Sequence, residues 1–132
     1  MRARRRVNRS AADLYAQLAD LRGHWDLAGR WVEPLELNHD GGVVRVRGPL
    51  GLHRTIRTRL TELRPDECVA GEASIGHTRA LISWLLEPDG AGTYVTLEAR
   101  VLDASVFDRA LLALGGARWM QGRFAATLKR LG

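Results

Sequence analysis

From residue 31 to residue 102 the sequence alternates apolar and polar side chains, and turn signals cut the run into strand-sized pieces. A period of two marks a strand with one dry face and one wet face. The breaks are Asp40-Gly41-Gly42, Gly48-Pro49-Leu50-Gly51, Arg64-Pro65-Asp66, Gly76-His77 and Pro88-Asp89-Gly90-Ala91-Gly92. Short clusters of Gly, Pro and Asp of this kind close hairpins. They leave strands over 31–37, 43–47, 53–63, 67–75, 78–87 and 93–102, and tight connections make those strands antiparallel neighbours. The last alternates most cleanly: Val95, Leu97, Ala99 and Val101 share one side, Thr96, Glu98 and Arg100 the other. Ile56, Thr58 and Leu60 oppose Thr55, Arg57 and Arg59 in the same way, and Val44 and Val46 oppose Arg45 and Arg47. One face of the predicted sheet is therefore apolar and needs a cover.

The flanks supply helices. Residues 2–8 have strand character, and the basic tract Arg4-Arg5-Arg6 suits a solvated edge. Ser10 followed by Asp13 fits a helix-opening capping pattern. Leu14, Tyr15, Leu18 and Leu21 then recur at helical spacing up to Gly23, and 24–29 reads as a short second helix or an irregular lid. After the sheet, Ser105 is a plausible N-cap for a helix that runs to the C-terminus. It is the one helix long enough to cover the apolar face. The expected fold is α+β: an antiparallel sheet of about six to seven strands, a long C-terminal helix, and two short helices after the first strand. The 132 residues fit a single domain.

The terminal helix has an unusual inner stripe. Placed on a 3.6-residue repeat, Val106, Phe107, Ala110, Ala113, Leu114, Ala117, Phe124 and Leu128 fall on one broad face, large at its ends and small in its middle. Protein interiors are otherwise packed to near-crystalline density. A small-centred face over a sheet therefore predicts a gap, and with it a cavity. Gly115 and Gly116 fall off the stripe; each would cost about 0.5–1 kcal/mol in an undistorted helix interior, so the pair predicts a bend.

Composition excludes several classes. The longest strongly apolar runs, 80–86 and 110–117, are too short to span a bilayer as helices, and the basic start lacks a following apolar segment. The expected location is the cytoplasm. A lone Cys68 makes no internal disulfide, and the spacing of His24, His39, His53 and His77 matches no metal motif, so no metal and no cofactor are expected. Net charge is +5 and Lys129 is the only lysine. The arginines are spread along the chain without aromatic interleaving, which argues against nucleic acid as a partner. No nucleophile elbow, phosphate loop or paired-carboxylate motif is present. The polar groups that alternation or position could bring into a cavity are His24, Asp26, Arg54, Glu72, His77, Ser83 and Tyr94. Arg54 shares the parity of Ile56 and Leu60, and an inward cation needs a partner or an anionic ligand head, for which Glu72 is the candidate. His24 and Tyr94 are the candidates for acid/base work.

The stretches VNRSAADLYAQLADLRGHWDLAGRW, LLEPDGAGTYVTLEARV and GRFAATLKRLG together resemble the START-like SRPBCC superfamily, which includes polyketide cyclase/dehydrase and lipid-transport members. The first looks like that family's strand, capped helix and Trp-bearing lid, the second like its penultimate hairpin. The resemblance spans essentially the whole chain. It implies a helix-grip architecture, in which the sheet wraps around the last helix and a cavity between them holds a hydrophobic or amphipathic small molecule. The residues expected to touch such a molecule are Trp25, Trp31, Arg54, Ile56, Leu60, Val95, Leu97, Phe107, Ala110, Ala113, Leu114, Ala117 and Met120. Three functions stay open: a non-catalytic carrier or sensor, a cyclase, aromatase or dehydratase, and an interaction module using a basic surface. A homodimer is also left open.

Overall fold

The structure, a computed structural model, describes residues 1–20, 24, 27, 31–38, 41–48 and 53–131. Seven strands form one antiparallel sheet: β1 (Arg2–Val7), β2 (Val32–Leu37), β3 (Gly41–Arg47), β4 (His53–Arg64), β5 (Cys68–Ile75), β6 (Thr78–Asp89) and β7 (Gly92–Asp103). Their spatial order is β1-β7-β6-β5-β4-β3-β2. Strands β2 to β7 each pair with their sequence neighbours, as a chain of short hairpins dictates, and β1 adds to the free side of β7. Register shifts at Pro34/Glu36, at Leu60/Glu62, and opposite Arg79/Ala80, where Leu102 is skipped, mark irregularities of the bulge kind in β2, β4 and β7. Bulges bend and twist strands, which favours a concave inner face. Pro34 sits where the sequence suggests, on an edge strand beside one of these shifts.

Alternation sorts the side chains as expected. Arg59 lies opposite Glu72, and Glu72 opposite Leu81, on the outer face; Leu60 and Ile82 line the inner one. The outer face carries ion pairs that reach from β1 across β7 to β6, Arg4–Glu87 at 3.2 Å and Arg6–Asp89 at 2.9 Å. Exposed pairs of this kind each contribute about 0–1 kcal/mol.

Helix α1 (Ala11–Ala19) opens on Ser10, whose hydroxyl accepts from the Asp13 N–H at 3.1 Å. It ends at Ala19, short of Gly23, because Asp20 takes an extended conformation. Of the expected second helix only His24 and Leu27 lie within the described residues, and both are helical; Trp25 and Asp26 lie outside them.

The terminal helix spans 24 residues in three parts. Helix α2 (Val106–Leu111) leads into a π-helical turn (Leu112–Gly116), and α3 (Ala117–Lys129) follows. Gly115 has φ 121° and ψ −5°, a left-handed conformation that strains any residue with a Cβ. A Cβ on Gly116 would lie 2.7 Å from the Leu111 carbonyl oxygen. The glycine pair is thus what lets the helix kink.

That kink corrects the reading of the stripe. Val106, Phe107 and Leu114 are 84%, 63% and 86% exposed, and Ala110 and Ala113 also face solvent. Asp108 is instead the buried residue of α2. A 3.6-residue wheel assumes one unbroken helix, whereas the π turn offsets the angular phase of everything before it from everything after it. Only the later part of the stripe is inward: Phe124 and Leu128, with Leu131, join Val7, Leu14, Leu18, Val95 and Leu97 in the core. Among the described residues no helix is long and apolar enough to cross a membrane.

Candidate functional site

The core fills the space between α1, the end of α3 and the β1 side of the sheet, and the inner face of β3 and β4, with the adjoining parts of β5 and β6, lies beyond it. A cavity of about 220 Å³ lies there, between the inner sheet face and α3. Val44, Val46, Ile56 and Leu60 form one wall. Ala73, Ala80, Ile82 and Ala99 form the floor, where small alanines leave depth. Met120 and Phe124 of α3 close it, with Trp31, Trp84 and His24 at the sides. An engineered apolar cavity of about 150 Å³ stays dry and takes up benzene. This one is larger and similarly apolar.

The polar side chains at the wall are engaged within the protein. His24 Nδ1 lies 3.3 Å from the Leu18 carbonyl, and Nε2 accepts from the Trp84 indole N–H at 3.3 Å. These partners fix the neutral tautomer with the proton on Nδ1. Burial pushes the His24 pKa down, against a smaller opposing effect of the Leu18 hydrogen bond. The Thr127 hydroxyl donates to the Arg123 carbonyl at 2.9 Å. Trp31 meets Trp119 edge-to-face, with ring centres 5.7 Å apart, and the Arg123 guanidinium lies over Trp119.

At the Thr78 end of the cavity a polar latch ties α2 to the sheet. Arg54 of β4 donates to Asp108 through both terminal nitrogens, and the Thr78 hydroxyl of β6 donates to the same carboxylate. Thr78 Oγ1 in turn accepts from the Ser105 N–H at 3.1 Å, while Ser105 Oγ caps the helix by accepting from the Asp108 N–H at 3.2 Å. The Arg54 hydrogen bond, more than any other influence, holds the Asp108 carboxyl below the usual carboxylate range although burial opposes it.

The structure brings Trp31, Ile56, Leu60, Leu97, Met120 and His24 to the cavity wall. It places the other expected contacts elsewhere. Val95 is fully buried in the core behind the cavity. Phe107, Ala110, Ala113 and Leu114 point to solvent for the phase reason given above, and Ala117 is half-buried without reaching the cavity. Arg54 does turn inward, but its partner is Asp108, not Glu72; Glu72 has the opposite strand parity and pairs with Arg79 at 3.3 Å. Tyr94 neighbours inward Val95 and so faces outward, where the Arg4 guanidinium stacks 4.2 Å above its ring. Ser83 lies opposite Glu98 on the outer face, and His77 is exposed in a turn. Trp25 and Asp26 lie outside the described residues.

Sequence reasoning missed Val44, Val46 and Ile82 as wall residues, although their alternation carries the signal. It also missed Asp108, whose signal is the Ser105-x-x-Asp108 capping pattern. No group of three or more metal-binding side chains occurs among the described residues.

Comparison with known proteins places this geometry among relatives. The family model described as polyketide cyclase/dehydrase and lipid transport matches residues 1–132. Among curated proteins none matches the sequence significantly. Protein TTHA0849 from Thermus thermophilus is 20% identical over 99% of this chain and 92% of its own, with a TM-score of 0.69. Ms6760 from Mycobacterium smegmatis is 14% identical over 98% and 86%, also at 0.69. CV1439 from Chromobacterium violaceum is 19% identical over 99% and 93%, at 0.62. At these identities the likeness is one of fold.

Proposed function

Since the chain belongs to the polyketide cyclase/dehydrase and lipid transport family, we propose that it binds a compact, mostly apolar small molecule between sheet and α3 and holds it without transforming it. The observation that carries this reading is the cavity of about 220 Å³ whose walls are almost wholly apolar. Affinity for such a guest comes from burial of its apolar surface, about 25 cal/mol per Å². The alternative, a cyclase or dehydratase, needs an acid or base within hydrogen-bond reach of the substrate. His24 is the one imidazole at the wall among the described residues, and both its nitrogens are engaged by Leu18 and Trp84. That favours binding over reaction.

The neutral fluorophore N-phenyl-1-naphthylamine tests the reading. Wild-type protein takes it up with an emission rise and a blue shift. Ala73→Phe places a ring in the cavity from the sheet floor and abolishes uptake, while circular dichroism stays unchanged. Absent uptake by wild-type protein, or undiminished uptake by the variant, overturns the reading.

A further inference from the structure

The surface of the α2 segment is the reverse of what a covering helix shows. Val106, Phe107 and Leu114 project their side chains into solvent, and Ala110 and Ala113 between them in sequence are exposed as well. Exposed apolar faces of this kind mark interaction surfaces. The charge around the face is one-sided. Between residues 109 and 131 there are five basic residues, Arg109, Arg118, Arg123, Lys129 and Arg130, and no acidic one. Arg109, within the segment, and Arg118, four residues beyond Leu114, are exposed and make no ion pair among the described residues. The acid within α2, Asp108, is buried and neutralised by Arg54. Asp103, just before the segment, has Arg79 across from it on the neighbouring strand.

We infer that this segment docks the protein on an anionic lipid surface, with Phe107 and Leu114 entering the interface and the basic residues facing the headgroups. An exposed apolar segment with unpaired cations in it and beyond it suits that partner. A second copy of the chain suits it less, because two-fold pairing of the same patch brings Arg109 and Arg118 against their equivalents. The attachment of α2 fits the role: the latch through Asp108 and Ser105 fixes its rotation so that the apolar residues stay outward. Thr78 belongs to both the latch and the cavity wall, so a docked protein sets that end of the cavity on the bilayer. This last consequence alone rests on the binding reading above.

Vesicle co-sedimentation tests the docking. Wild-type protein binds phosphatidylcholine vesicles containing about one third phosphatidylglycerol about tenfold more tightly than pure phosphatidylcholine, and salt weakens the binding. Phe107→Asp combined with Leu114→Asp removes binding, and Arg109→Glu combined with Arg118→Glu removes the preference for anionic lipid. Both variants keep wild-type circular dichroism and fluorophore uptake, which separates failure of docking from failure of the cavity. The inference is overturned if wild-type protein ignores anionic vesicles, or if the aspartate variant binds them as well as wild type does. It is equally overturned if ultracentrifugation shows a dimer that the aspartate variant splits while vesicles are ignored.

Discussion

His24 and Asp108 show how a polar side chain enters a small apolar interior only with its partners fixed. His24 must be neutral to accept from the Trp84 indole N–H, and burial lowers its pKa. The unfolded chain therefore binds a proton that the folded chain refuses, so stability rises with pH in that window. The contribution is fully present above the ordinary value of 6.5 and falls as pH drops below it. Urea denaturation at about pH 7.5 and pH 5.5 should show lower stability in acid, and His24→Leu should flatten that difference. The same variant should cost about 1–3 kcal/mol at neutral pH, because the Trp84 N–H loses its acceptor. Asp108 shifts in the same direction about its own value, although the form the fold retains is the ionised one. Its folded pKa is depressed, chiefly by Arg54, so its contribution is present above 3.8 and is lost as pH falls through the folded pKa. Asp108→Asn should cost about 1–2 kcal/mol, a modest figure because Arg54 still reaches water, and the loss should vanish at strongly acid pH. Denaturant melts at neutral and acid pH check both parts.

At the scale of the element, the terminal helix separates what a pattern encodes from what it hides. The strands were legible because a period of two survives bulges: each strand from β2 to β7 ends within a few residues of its predicted limits. The helix stripe was half legible. Phe124 and Leu128 are inward, but Val106, Phe107, Ala110, Ala113 and Leu114 are not, since one π turn shifts the phase. The glycine pair signalled the bend, but not its direction, which depends on Asp108 meeting Arg54 and Thr78 across 54 and 30 residues of sequence. Two glycines in the helix should respond oppositely to alanine. Gly115→Ala forces a Cβ into φ 121° and should cost about 1–3 kcal/mol. Gly122 has open space around its Cβ position inside α3, so Gly122→Ala should stabilise by about 0.5–1 kcal/mol. Thermal melts of the two variants decide it. The rotation of α2 has its own check: Ala113→Trp places an indole in solvent and should leave fluorophore uptake unchanged, whereas an inward Ala113 would make the same change abolish it.

For the molecule as a whole, the cavity is a stability cost that a guest relieves. Apolar walls left without packing partners forgo dispersion contacts, and a guest that fits between them restores those contacts. The rest of the fold must carry that deficit, and it does so at one end, where α1, the close of α3 and β7 share a continuous core. The sequence made this division visible through alanines and alternation, but it could not show that the void lies under β3 and β4 and not beneath the small centre of the helix stripe. Two effects on the melting temperature follow and should separate. A guest at about 100 times its Kd should add about 2.7 kcal/mol, which for a chain of this size raises the melting temperature by roughly 10 °C. Ala73→Phe should raise the melting temperature of the guest-free protein by filling part of the same space, and should abolish the guest-dependent rise. Differential scanning fluorimetry with and without the fluorophore reads both. If Ala73→Phe destabilises the empty protein and a guest-dependent rise persists in the variant, the void is not where the guest sits.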